Sequence, residues 1–147
     1  MIEVTETVEV DAPAETTWAA MTDWTRQGDW MLGTHVRVTR GDGRSAGSAL
    51  AAFTGFGKLG FTDTMEITAW EPPYRCVVRH TGGLVRGTGI FEVLARGADT
   101  SAFRWHESLH PPLGALGSLG WRVVEPAFRY GLRRSLRQFA EFAESHE

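Results

Sequence analysis

Three side chains in the middle of the chain carry groups able to take up and release protons: Asp63, His80 and Glu107. Each stands in a run that reads as a β-strand, where residues two apart share a face. On that count Asp63 goes with Met65 and Ile67, His80 with Cys76 and Val78, and Glu107 with Phe103, Trp105 and Leu109. All three fall on otherwise apolar faces. A carboxyl or imidazole group in such a place is costly unless it is hydrogen-bonded, neutralised, or in contact with water or ligand. Asp63 and His80 fall diagonally across neighbouring strands, close enough for the carboxylate to orient the imidazole. Glu107, desolvated beside Trp105, could hold a proton as a general acid or base must. The plainer alternative is that these groups sit at strand ends near a mouth and satisfy one another.

Three loop lengths set this facing. With 71–74 as a four-residue loop, Trp70 pairs with Arg75 and Met65 stands opposite His80. With Gly82-Gly83 as a two-residue hairpin turn, Thr81 pairs with Leu84 and Val78 stands opposite Gly87. With 96–100 as a five-residue loop, Phe91 stands opposite Trp105 and Gly89 opposite Glu107. The loops agree on one inward set, which adds Gly87, Gly89, Phe91 and Val93. The outward set, with Arg75, Arg79, Arg86, Glu92, Arg104 and His106, suits solvent. A slip of one residue would turn a strand over. Gly87 and Gly89 remove bulk from the inner face, which makes room for a helix or for a ligand.

The elements that must hold these groups are legible on either side. Residues 2–10 alternate, with Ile2, Val4, Val8 and Val10 on one side and Glu6 interrupting the row, either facing the interior or marking where it frays. Asp11 then reads as the cap of a short helix, with Pro13 near its first turn, running through Trp18 and Met21. A second short helix, Trp24 to Met31, buries Trp24 or Trp30. Strands follow at about 35–40, 48–56, 60–70, 75–81, 84–95 and 101–109, with turns at 41–43 and 57–60, and Pro111-Pro112 ends the last. From Leu113 to Glu147, Leu116, Leu119, Val123, Val124, Phe128, Leu132, Leu136, Phe139 and Phe142 recur at helical spacing and make one apolar stripe. Gly114, Gly117, Gly120 and Pro126 should bend or break its first part, leaving a straight rod from about Pro126. The order is strand, two short helices, six strands and a long helix: an α+β fold with an antiparallel meander and a single domain over 1–147. The stripe must lie against the sheet of residues 34–110. Function belongs in the space between them.

Composition narrows the classes. The chain has 147 residues, 42% hydrophobic and 22% charged, as expected of a soluble globular protein. A net charge of −3 argues against nucleic acid as a partner. Arg129, Arg133, Arg134 and Arg137 are the local exception and read as a solvated helix face. A single cysteine, Cys76, excludes an internal disulfide and suits the cytoplasm. The acidic, alternating start is neither a signal nor a transit peptide, and no apolar run reaches the roughly 20 residues of a membrane span. His35, His80, His106, His110 and His146 have no metal-ligand spacing, so no metal or cofactor is expected. There is no phosphate-binding glycine loop, and Ser118 lies in a helix rather than in a nucleophile elbow. Six tryptophans and eight phenylalanines are many for this size; much of the surplus is core, and the count alone does not say which of them, if any, line a pocket.

The run Val8 to Trp18, with Met21-Thr22-Asp23-Trp24 and Trp30, resembles the opening of the START-like, or SRPBCC, superfamily. The stretch Trp105 to Leu109, then Pro111 to Gly114 and Phe128 to Leu136, is similar to its bacterial polyketide cyclase/dehydrase-like branch. The resemblance implies a helix-grip fold: a seven-stranded antiparallel sheet wrapped around a long C-terminal helix, with a deep apolar cavity between them. It implies binding of lipids, sterols or aromatic molecules, and in some members cyclisation or dehydration of polyketides. It supplies no invariant catalytic set. Tyr130 and Gly131 are expected to border the cavity by position, with no family role attached.

Three functions compete. The first is a binding protein for a small hydrophobic or aromatic molecule, held by Met65, Val78, His80, Phe91, Phe103, Trp105, Glu107, Phe128, Gly131 and Leu132. The second is an aromatic polyketide cyclase or dehydratase with its acid and base drawn from His80, Glu107 and Asp63. The third is a protein-interaction module without a small ligand, favoured if aromatic side chains fill the space. The chain is expected to be a monomer or homodimer.

Overall fold

The alternation at residues 2–10 becomes the first strand of a seven-stranded antiparallel sheet. A computed structural model of the chain describes residues 2–56, 59–83, 85–110 and 115–146. Its elements are β1 (Ile2–Val10), α1 (Ala14–Met21), a 3-10 helix (Trp24–Asp29), β2 (Thr34–Arg40), β3 (Ala49–Phe56), β4 (Leu59–Glu71), β5 (Arg75–Thr81), β6 (Arg86–Ala95), β7 (Ser101–Leu109) and α2 (Ala115–Glu144). The strand order is β1-β7-β6-β5-β4-β3-β2. The two short helices therefore carry the chain from one edge of the sheet to the other, and the rest is a meander. This is the helix-grip arrangement. No helix among the described residues is long and apolar enough to cross a membrane.

The registers show how far loop counting reaches. Between β6 and β7 the pairs are Phe91↔Trp105 and Gly89↔Glu107, as expected. Between β4 and β5 Met65 does face His80, but a bulge between Ile67 and Ala69 shifts the turn-proximal half. Arg75 therefore pairs with Glu71 and not with Trp70. Between β5 and β6 Val78 faces Gly89 and Thr81 faces Arg86, two residues away from expectation. The glycine pair marks the turn without fixing its length. An error of two keeps every side chain on its face, so the inward set survives. Leu84, residues 57–58 of the turn expected at 57–60, and the segment 111–114 with its prolines lie outside the described residues.

The core forms where the inner face meets the helices. Trp30, Phe103 and Phe139 are fully buried, with ring centroids 4.9 Å apart for Trp30–Phe139 and 4.6 Å for Phe103–Phe139. Trp24 and Trp30 are both buried; the Trp24 indole donates to the Gly43 carbonyl at 2.8 Å. Only the second half of the α2 stripe is covered. Leu132, Leu136, Phe139 and Ala143 are buried, whereas Leu116, Leu119, Val123 and Val124 are exposed. α2 also runs unbroken through Pro126. The Glu125–Arg129 pair at 2.9 Å and the Trp121–Phe128 ring contact at 5.2 Å tie together the turns on either side of the proline.

Two local expectations change. Asp11 is not the cap of α1: the cap position is Pro13, with no side-chain bond, and the Asp11 amide donates to Glu144 at the far end of α2. The arginine run is not wholly solvated. Glu6, on the inner side of β1, accepts from Arg133 at 3.1 Å and lies 3.6 Å from Arg129.

Candidate functional site

Asp63 on β4, His80 on β5 and Glu107 on β7 meet as one hydrogen-bonded unit. His80 Nδ1 lies 2.9 Å from Asp63 Oδ1, and His80 Nε2 lies 2.9 Å from Glu107 Oε2. The Trp105 indole N–H donates to the second oxygen of Glu107 at 2.8 Å. Side-chain exposure is 5% for His80, 7% for Glu107 and 16% for Asp63, so the unit is nearly dry and opens on the Asp63 side.

The contact between His80 and Glu107 needs an explanation, because β6 runs between their strands. Two strand spacings are about 9.6 Å. The gap is bridged because β6 places Gly87 opposite His80 and Gly89 opposite Glu107, leaving no side chain between them. A Cβ at Gly89 would lie 2.9 Å from Glu107 Oε1 and 3.1 Å from Val78 Cγ2. The room left by Gly89 is thus filled by the Glu107 carboxyl group, neither by α2 nor by open space. Gly87 has φ of +127°, and a Cβ there would meet the Ser108 carbonyl oxygen of β7.

A neutral imidazole has one N–H and would turn a lone pair towards one of the two carboxyl groups; the imidazolium donates to both. Burial alone would lower the His80 pKa, but the hydrogen bonds to Asp63 and Glu107 and the charges on both outweigh it and raise the value to about 10. His80 therefore holds its second proton at neutral pH. Cys76, fully buried on the same strand, has its thiol pushed up to about 12 by burial and remains protonated. Among the described residues no group of three or more His, Cys, Asp and Glu side chains is arranged to hold a metal ion.

The unit forms part of the wall of a cavity of about 510 Å³ between the sheet and α2. Of the ligand-contact residues expected from sequence, Met65, His80, Phe91, Trp105, Glu107, Phe128, Gly131 and Leu132 line it. Val78 and Phe103 do not; both are fully buried core residues, Phe103 covered by Trp30 and Phe139. The aromatic side chains of the central strands do not fill the space.

Other wall residues escaped the sequence reading. Trp24 and Gln27 come from the 3-10 helix and Met31 from the bend just after it, a stretch too short to show a period. Leu50, Ala52 and Thr54 come from β3, where they face Met65, Asp63 and Phe61 of β4. The turn at 57–60 carried that signal, since counting back from it puts the even-numbered residues of β3 on the Asp63 face. Trp121 and Ser135 of α2 also line the wall, and Ser135 Oγ accepts from the Leu32 amide at 3.2 Å.

Residues 1–144 match the family described as "Polyketide cyclase / dehydrase and lipid transport". No curated protein matches the sequence significantly. Among solved structures, the Zhui aromatase/cyclase from Streptomyces sp. R1128 is similar with a TM-score of 0.81 at 15% identity, over 97% of this chain and 93% of that one. A protein from Thermus thermophilus is similar with a TM-score of 0.79 at 15% identity, over 97% of each chain. Norcoclaurine synthase from Thalictrum flavum, in complex with dopamine and hydroxybenzaldehyde, gives 0.72 at 16% identity, over 99% of this chain and 88% of that one. At these identities the likeness is one of fold.

Proposed function

The chain belongs to the polyketide cyclase/dehydrase and lipid-transport family, and from that premise we propose that it binds one small, largely apolar or aromatic molecule between the sheet and α2. The observation that carries this reading is the cavity. Its volume of about 510 Å³ suits a small-molecule site, its walls are mainly apolar and aromatic, and its two carboxyl groups, Asp63 and Glu107, converge on His80.

Gly131 supplies the test. It lines the cavity, and a Cβ added there meets nothing within 4 Å. Gly131→Phe should fill the space, while replacing a helix-interior glycine by phenylalanine favours α2 by about 0.5 kcal/mol. Binding of N-phenyl-1-naphthylamine, followed by fluorescence, should be saturable in the wild type and weakened by more than about tenfold in the variant. Equal binding by both proteins would overturn the reading.

The buried Asp63–His80–Glu107 unit favours a second reading, an aromatic polyketide cyclase or dehydratase. Ring closure by an aldol step moves a proton from an activated methylene to a base and returns one to the new alkoxide; dehydration then releases water, with no oxidant or reductant. Holding a reactive chain in a shaped space can supply much of such a rate. On this reading His80→Phe and Glu107→Gln abolish turnover of a poly-β-keto substrate yet leave binding of an apolar ligand within a few-fold.

A further inference from the structure

The described wall of the cavity contains two carboxyl groups, Asp63 and Glu107, and one imidazole, but neither lysine nor arginine. Acidic groups outnumber the basic one even when His80 is protonated, in surroundings where charges act strongly on one another. A carboxylate ligand would be repelled there and a cation attracted.

Two acceptors are also unused. Asp63 Oδ1 is engaged by His80, but no described residue donates to Oδ2. Gln27 is 5% exposed, and the one side-chain bond it makes among the described residues runs from Nε2 to the Met31 sulfur at 3.8 Å. Its side-chain amide oxygen, Oε1, accepts nothing there. The sealed, unpartnered polar atoms among the described side chains are Trp30 Nε1 and His146 Nδ1, so the Gln27 side-chain oxygen is not sealed, and Gln27 lines the cavity. A buried amide oxygen without a donor is unfavourable until a ligand or water supplies one. The apolar wall adds the faces of Phe61, Phe91 and Trp105, which attract a cation held near them.

We propose that the ligand is an arylalkylamine, its ammonium group donating to Asp63 Oδ2, its ring among Phe61, Phe91 and Trp105, and a second donor group meeting the Gln27 carbonyl oxygen. Asp63 and Gln27 are then the residues that set specificity. The inference rests on the ligand-binding reading above and deepens it.

Three isosteric probes separate the two: 2-(1-naphthyl)ethylamine, 2-(1-naphthyl)ethanol and 1-naphthylacetate, each titrated calorimetrically into the full chain at neutral pH. The amine should bind about tenfold more tightly than the alcohol, and the acid at least about tenfold more weakly than the alcohol. In Asp63→Asn the amine should fall to the level of the alcohol while the alcohol is little changed. Equal affinity for all three probes, or preference for the acid, overturns the amine inference and leaves the cavity reading standing. No binding of any probe overturns both. The wild-type series decides the matter even if the variant fails to fold.

Discussion

Replacing Glu107 by glutamine tests the buried proton directly. The introduced amide would keep an oxygen acceptor for the Trp105 indole now 2.8 Å from Glu107 Oε1, and so would turn its NH2 towards His80 Nε2. Two donors cannot face each other, so the substitution favours the neutral ring, with a lone pair at Nε2 and the proton on Nδ1 facing Asp63, over the imidazolium. An opposite charge at this distance is worth about 1–3 pKa units. The His80 value should fall from about 10 to between about 7 and 9. Nitrogen-detected NMR of the histidine rings, from about pH 5 to 11, reads this directly. Stability follows with a defined sign. A histidine whose folded pKa is raised stabilises the fold fully below the unfolded value of 6.5, and that contribution is lost as pH rises through about 10. Wild-type unfolding free energy should therefore decline across this window, with a ceiling of about 5 kcal/mol at 1.36 kcal/mol per unit. The decline should be smaller in Glu107→Gln. A wild-type His80 that titrates near 6.5, or a value unmoved by the substitution, would refute the reasoning.

Gly89→Ala places a Cβ 2.9 Å from Glu107 Oε1, so it should displace the carboxyl group, destabilise by about 1–3 kcal/mol in chemical denaturation and lower the His80 pKa in the same NMR titration. Phe139→Ala removes a fully buried ring from between Trp30 and Phe103 and should cost about 3–5 kcal/mol by the same denaturation assay. The Cys76 thiol should resist a disulfide reagent in the folded protein at neutral pH and react only on unfolding, at a rate set by denaturant.

Much of this arrangement is legible in the sequence because strand facing depends only on parity. The β5–β6 turn differs from expectation by two residues, yet His80, Val78 and Gly89 keep their face. The β6–β7 loop fixes Gly89 opposite Glu107. The His80–Glu107 contact was out of reach because it skips a strand, and pairwise register arguments consider neighbours alone. The signal for it was the glycine pair 87 and 89 on the inner face. Periodicity failed differently in α2. Leu116, Leu119 and Val123 recur at helical steps of three and four, as Leu132, Leu136 and Phe139 do, but only the second group is covered. Spacing defines a face and says nothing of what covers it.

The most direct test of the central claim is an NMR titration of the protein with 2-naphthol, following the Trp105 indole N–H, the His80 ring and the methyl groups of Leu132, Leu116 and Val123. Occupation of the cavity predicts saturable shifts at Trp105, His80 and Leu132, which line it, with Leu116 and Val123, exposed and outside its wall, unmoved. Shifts confined to Leu116 and Val123, or none that saturate, would contradict the account.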